Sequence, residues 1–87
     1  MREFAGKRYW LVGASEGLGL ALAQRLSRAG AEVILSARSG DRLAEAVALM
    51  PGRAFPVPVD VASRESVQAA AAQIGQIDGV VFLAGVY

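Results

Sequence analysis

The chain has 87 residues, 54% of them apolar, with nine basic and eight acidic side chains and a net charge of +1. That is enough for one small core and too little for two, and a balanced charge without a block of one sign gives no reason to expect a nucleic-acid or membrane surface. Cysteine and histidine are both absent, which excludes a disulfide frame, a thiol nucleophile, a zinc–thiolate or imidazole metal site, and a Ser-His-Asp triad within the chain.

Apolar runs and helical patterns alternate along the chain. Tyr9–Val12 is a short apolar run stopping at Gly13, as a buried strand does. From Gly17 to Ala29 the residues Leu18, Leu22, Leu26 and Ala29 recur at helical spacing. Arg25 and Arg28 suit the negative end of that helix, and Gly30 follows as a stop. Val33–Leu35 reads as a strand covered on both faces. Asp41 is the expected cap of a second helix, with Leu43, Val47 and Met50 on one face until Pro51-Gly52. Ala54–Val59 is extended by two prolines, which belong at a sheet edge because neither donates a ladder hydrogen bond. Ser63 opens a third helix whose stripe is Val67, Ala70, Ala71, Ile74 and Ile77. Asp78-Gly79 then turns the chain into a fourth strand, Val80–Leu83.

The order β-α-β-α-β-α-β predicts an α/β fold: a Rossmann-type parallel sheet with helices on both faces. Strand order 3-2-1-4 puts the proline strand at one edge. It puts Val80–Leu83 at the other, apolar and without lysine or proline to guard it. Residues 1–87 are therefore expected to be a single half-domain, a fragment of a longer domain or a piece completed by another chain. Self-association through the bare fourth strand is expected. No apolar run approaches a membrane span, and Met1–Arg8 carries charges where a secretory signal needs an apolar stretch. A cytoplasmic protein is expected.

The chemistry centres on Gly13-Ala14-Ser15-Glu16-Gly17-Leu18-Gly19, between the first strand and the first helix. A phosphate needs backbone N–H donors, close approach without side chains, and a favourable field. Glycines at a helix N-terminus supply all three. Gly13 permits the turn, Gly17 permits close approach, Gly19 lets the helix sit against the strand, and Ser15 adds a hydroxyl. Such a turn can also bind nothing. Its place after the first strand of a βαβ pattern favours a dinucleotide. Gly13–Gly17 also fits the G-x-S-x-G elbow of hydrolases, a reading that fails for want of a histidine. A P-loop fails because the one lysine, Lys7, precedes the strand.

This heptad, with the strand before it, resembles the TGxxxGxG cofactor motif of the short-chain dehydrogenase/reductase family, with Val12 where threonine is usual. Ser36-Ala37-Arg38-Ser39 resembles the end of that family's second strand, and Asp60-Val61 its adenine-contacting dipeptide. Phe82-Leu83-Ala84-Gly85 falls where the family carries Asn-Asn-Ala-Gly. The resemblance runs the length of the chain with four motifs in order. It implies the cofactor-binding half of an oxidoreductase that interconverts an alcohol and a carbonyl by hydride transfer. The cofactor residues it implies are Gly13, Ser15, Glu16, Gly17, Leu18, Gly19, Arg38, Ser39, Asp60, Val61, Ala84 and Gly85.

Arg38 bears on the choice of cofactor. NAD enzymes tend to place a carboxylate at the end of the second strand; here Ala37 and Arg38 hold that place. A guanidinium pairs with a 2′-phosphate through two hydrogen bonds, and Ser39 can add a hydroxyl. NADP(H) is expected over NAD(H), the alternative being a solvated loop arginine. Asp60 is either an adenine contact or a turn residue ahead of Ser63. Ala84 and Gly85 either admit the cofactor sugar or simply end a strand.

Two departures stand out. Phe82 and Leu83 replace both asparagines and can only pack. The family's Tyr-x-x-x-Lys pair, in which lysine lowers the pKa of the tyrosine that moves the proton, does not occur. Tyr9 belongs to the first strand and Tyr87 has no lysine beside it, so no residue is assigned a catalytic role. A non-catalytic NADP(H)-binding sensor or assembly module is the second reading.

Overall fold

A computed structural model describes residues 4–14 and 17–83. Four strands and three helices alternate: β1 Arg8–Val12, α1 Gly17–Arg28, β2 Glu32–Ser36, α2 Gly40–Ala48, β3 Ala54–Pro56, α3 Arg64–Ile74 and β4 Gly79–Phe82. The strands form one sheet in the order β3-β2-β1-β4, and every neighbouring pair is parallel. The expected topology is the observed one.

Strand pleating divides the core in two, because alternate side chains point to opposite faces. On one face Leu11, Val33 and Leu35 pack with Ala23 of α1 and with Leu43 and Ala46 of α2. On the other, Trp10, Val12 and Ile34 pack with Val57, Val59, and Ala70 and Ile74 of α3. Helices thus cover both faces. None among the described residues is long and apolar enough to cross a membrane.

The prolines sit where the hydrogen-bond pattern leaves room for them. Past β3, Val57 N–H donates to the Leu35 carbonyl and Val59 N–H to that of Ala37. The alternate positions, Pro56 before Val57 and Pro58 between the two valines, face away from β2, where an N–H would have no sheet partner. At the opposite edge, Val81 packs into the helix-covered core, whereas Val80 and Phe82 are 54% and 59% exposed. Those two share a face with Trp10 and Val12, their register partners. Among the described residues, no strand pairs with the outer edge of β4.

Three details of the sequence reading change. The buried line of α1 is Gly19, Ala23 and Ser27, not the leucine stripe; Leu22 and Leu26 flank it, and Leu18 is 84% exposed. Close approach of α1 to the sheet demands small residues at the centre of contact and pushes leucines to its sides. The cap of α2 is Ser39, whose Oγ accepts from the Arg42 N–H, while Asp41 lies inside the first turn. There its negative charge still complements the helix dipole. Finally, α3 ends at Ile74, with Gly75 at φ 79°. Ile77 therefore packs on the core from beyond the helix, and Ala71 is exposed. Ser63 caps α3 as expected, its Oγ accepting from the Ser66 N–H at 3.2 Å.

A charged bracket closes the N-terminal ends of the strands. The Arg8 guanidinium pairs with Glu32 and donates to the carbonyls of Ile74 and Gln76 at 3.1 and 2.6 Å. Those carbonyls lie at and beyond the negative end of α3, which a cation stabilises. The Arg8 backbone N–H also bonds Asp78, tying β1 to the approach of β4.

Candidate functional site

Because all four strands run the same way, their C-terminal ends share one edge of the sheet, and hydrogen bonds tie those ends together. The Ser36 carbonyl accepts from the N–H groups of Gly13 and Ala14 at 2.7 and 3.4 Å, Ala37 accepts from Val59 at 3.0 Å, and Val12 accepts from Leu83 at 2.8 Å. Segments more than 20 residues apart in sequence thus meet here: the turn after β1, the arm after β2, the extended chain past β3 and the end of β4. At this edge the connection from β1 runs through α1 to β2 on one side, while the connection from β3 crosses through α3 to β4 on the other side of β1. Open α/β sheets bind their ligands at such a crevice.

The glycine turn is shaped by crowding at one position and openness at another. A Cβ on Gly19 would lie 2.8 Å from the Gly13 carbonyl oxygen, 2.8 Å from Leu83 Cδ1 and 2.9 Å from Ala14 Cα. Only glycine lets α1 start this close to the turn. Gly17, in contrast, holds φ +63° and has nothing within 4 Å of the place a Cβ would occupy. Its conformation favours glycine, and the space beside it is clear for a ligand to approach the backbone. The first N–H groups of α1 lack intrahelical partners, and no acidic side chain occupies its first turn. That end of the helix carries about half a positive charge. Leu18 stands exposed beside it.

The arm after β2 carries Arg38 and Ser39, both exposed. Ser39 uses its Oγ as the acceptor for the α2 cap, which leaves its hydroxyl hydrogen available to a further acceptor. Past β3, Asp60 is exposed and Val61 is 42% exposed. Asp60 holds a local turn: its Oδ1 accepts from the Ala62 N–H at 3.0 Å, and its own N–H donates to Ser66 Oγ at 2.9 Å. The turn role is therefore real. It engages one carboxylate oxygen and leaves a second as acceptor, so it is compatible with a ligand contact. Ser15, Glu16, Ala84 and Gly85 lie outside the described residues. The two side chains that stand for asparagine diverge: Leu83 packs toward Gly19, and Phe82 points out on the face of α3.

A hollow of about 330 Å³ lies toward the opposite end of the sheet between Ile34, Phe55, Val57 and Ile74. Its rim charges, Arg8 and Glu32, neutralise each other. It lies away from the glycine turn and offers a ligand no uncompensated charge.

Sequence reasoning missed Trp10 and Ser36. The Trp10 indole Nε1–H donates to Ser36 Oγ at 2.7 Å inside the core, beneath the glycine turn and the Val59–Asp60 segment. The available signal was a polar residue closing a continuously apolar strand.

The comparisons with known proteins agree with this geometry. The model of the short chain dehydrogenase family matches residues 7–87. An uncharacterized oxidoreductase of Methylorubrum extorquens is 37% identical over all of this chain, which covers 38% of that protein. A solved structure described as a short chain dehydrogenase/reductase family protein superposes with a TM-score of 0.94 at 31% identity, over 100% of this chain and 37% of its own. L-Sorbose reductase from Gluconobacter frateurii, solved with NADPH and L-sorbose, gives a TM-score of 0.82 at 37% identity, over 94% of this chain and 34% of its own. The chain thus spans little more than a third of the length of these relatives.

Proposed function

The chain belongs to the short-chain dehydrogenase family of oxidoreductases, and from that premise we propose that it is the NADP(H)-binding half of an enzyme interconverting an alcohol and a ketone or aldehyde. The observation that carries this reading is the meeting, at one sheet edge, of the uncrowded α1 N-terminus with an exposed arginine two residues past β2. Main-chain donors of Ser15, Glu16, Gly17, Leu18 and Gly19 would hold the pyrophosphate, with Ser15 adding its hydroxyl, while Gly13, whose N–H is taken by the Ser36 carbonyl, would shape the turn around it. Arg38 and Ser39 would take the 2′-phosphate, a role the planar guanidinium fork suits better than a carboxylate could. Asp60 and Val61 would meet the adenine, and Ala84 and Gly85 would let the ribose pass. The bound nicotinamide supplies the hydride. No Tyr-x-x-x-Lys occurs in these residues, so none of them is assigned the proton transfer or the choice of substrate. We place the protein in the cytoplasm. The open outer edge of β4 would be covered by the rest of the domain or by a second copy of the chain.

Calorimetric titration with NADPH and NADH tests the cofactor assignment. Arg38→Asp should weaken NADPH binding far more than NADH binding, and equal losses would remove the 2′-phosphate role. A second reading, a non-catalytic NADP(H)-binding module that senses redox state or supports assembly, draws on Phe82 and Leu83 standing where the family carries asparagines. Coenzyme binding without turnover of a broad carbonyl panel would favour it.

A further inference from the structure

Ser36 is wholly buried at the end of β2 and serves two elements at once. Its Oγ accepts from the Trp10 indole N–H at 2.7 Å, and its carbonyl accepts from the N–H groups of Gly13 and Ala14 at the start of the glycine turn. The next residue, Ala37, holds Val59 through its carbonyl, and the one after that is Arg38. Trp10 completes the linkage from below: it is 8% exposed and belongs to the cluster containing Val57 and Val59. The indole thus spans β1, β2 and the chain leading to Asp60. In the strand register Ser36 stands opposite Val12, so the indole reaches two positions toward the C-terminal edge to find its acceptor.

We propose that Ser36 is a positioning residue, and that its buried hydrogen bond from Trp10 locks the end of β2 so that the glycine turn and the Arg38 arm are held ready for the coenzyme. This rests on the dinucleotide reading above. Arg38 contacts what distinguishes the two coenzymes, whereas Ser36 holds the turn that both need. With the lock in place about half of the molecules or more are binding-competent. Without it the competent fraction falls, and the apparent dissociation constant rises in proportion. Losing a net hydrogen bond of typical strength shifts that equilibrium about fivefold, which takes a competent fraction of about one half down to about one sixth and raises the dissociation constant about threefold.

The test is a double-mutant cycle on coenzyme affinity with Ser36→Ala, Trp10→Phe and the pair, in the chain extended to the full length of its gene product where that is longer. Affinities are measured for NADP+ and NAD+ well below each variant's melting temperature. Each single variant should lose about threefold for both coenzymes, and the double variant no more than either single one. Unchanged dissociation constants alongside a lowered melting temperature would make the bond merely structural and overturn the proposal, as would losses that add in the double variant. If a variant fails to fold, the wild-type indole N–H resonance decides. It should be slow to exchange with solvent and should shift when NADP+ is added; a rapidly exchanging or unmoved resonance overturns the proposal. Wild-type protein that binds neither coenzyme would instead refute the dinucleotide reading and this proposal with it.

Discussion

Gly19→Ala is the sharpest test of how this site is built, because two opposing effects of known size meet at one carbon atom. Alanine is favoured over glycine by about 1 kcal/mol in a helix interior, so propensity alone makes the substitution stabilising. Packing reverses the sign. The new methyl would stand within 3.0 Å of three atoms, two of them backbone, in Gly13 and Ala14, and the third the Leu83 Cδ1 methyl. Leu83 can rotate aside; the turn backbone cannot move without disturbing the Gly13 hydrogen bond to Ser36. Overpacking of this kind costs about 1–3 kcal/mol, and the net expectation is a loss of up to about 2 kcal/mol. Urea denaturation should show a midpoint lowered by up to about 1 M. Gly40→Ala is the control, since Gly40 has nothing within 4 Å and an ordinary φ; its midpoint should hold or rise slightly. Adding Leu83→Ala to Gly19→Ala should cost less than the sum of the two separate losses, because it removes the one movable obstacle. A Gly19→Ala midpoint at or above wild type would refute the close approach of α1 to the β1 turn.

Arg8→Ala should destabilise the fold by about 1–2 kcal/mol, because it strips Glu32 of its partner and releases the Ile74 and Gln76 carbonyls; chemical denaturation with an unchanged midpoint would dismiss the bracket. Ser63→Ala should cost about 1 kcal/mol through loss of the α3 cap, visible in the same assay, while Ser63→Asp should preserve most of it. Replacing Pro56 and Pro58 together by threonine would place N–H donors on the outward side of the β3 edge. Light scattering should then rise with concentration more steeply than for wild type, and identical curves would show that the prolines do not guard that edge.

Sequence legibility differed sharply between elements. Element order and the sheet edge for the prolines follow from near-neighbour chemistry: apolar runs, helical spacing, and a ring that removes a donor. The α1 face was misjudged because periodicity counts large apolar residues, while the contact itself selects the smallest ones. Gly19, Ala23 and Ser27 carry no hydrophobic signal, yet they lie deepest. The α2 cap was displaced by two residues because Asp41 and Ser39 are both good capping types, and only backbone conformation decides between them. Within the candidate site, the glycine turn, the Arg38 arm and Asp60 were all readable as motifs. That their segments meet at one edge depended on strand order.

What the residue string alone determined was the alternation of strands and helices, the glycine-bearing junction after the first strand, and a cation in place of a carboxylate after the second. Each depends on groups a few bonds apart, so one stretch of chain contains the whole cause. Only the tertiary structure decided that Trp10 finds Ser36, that Arg8 joins Glu32 to the end of α3, and that Leu83 closes on Gly19. These partners are 24 to 66 residues apart, and nothing in either residue names the other until the sheet brings them within reach.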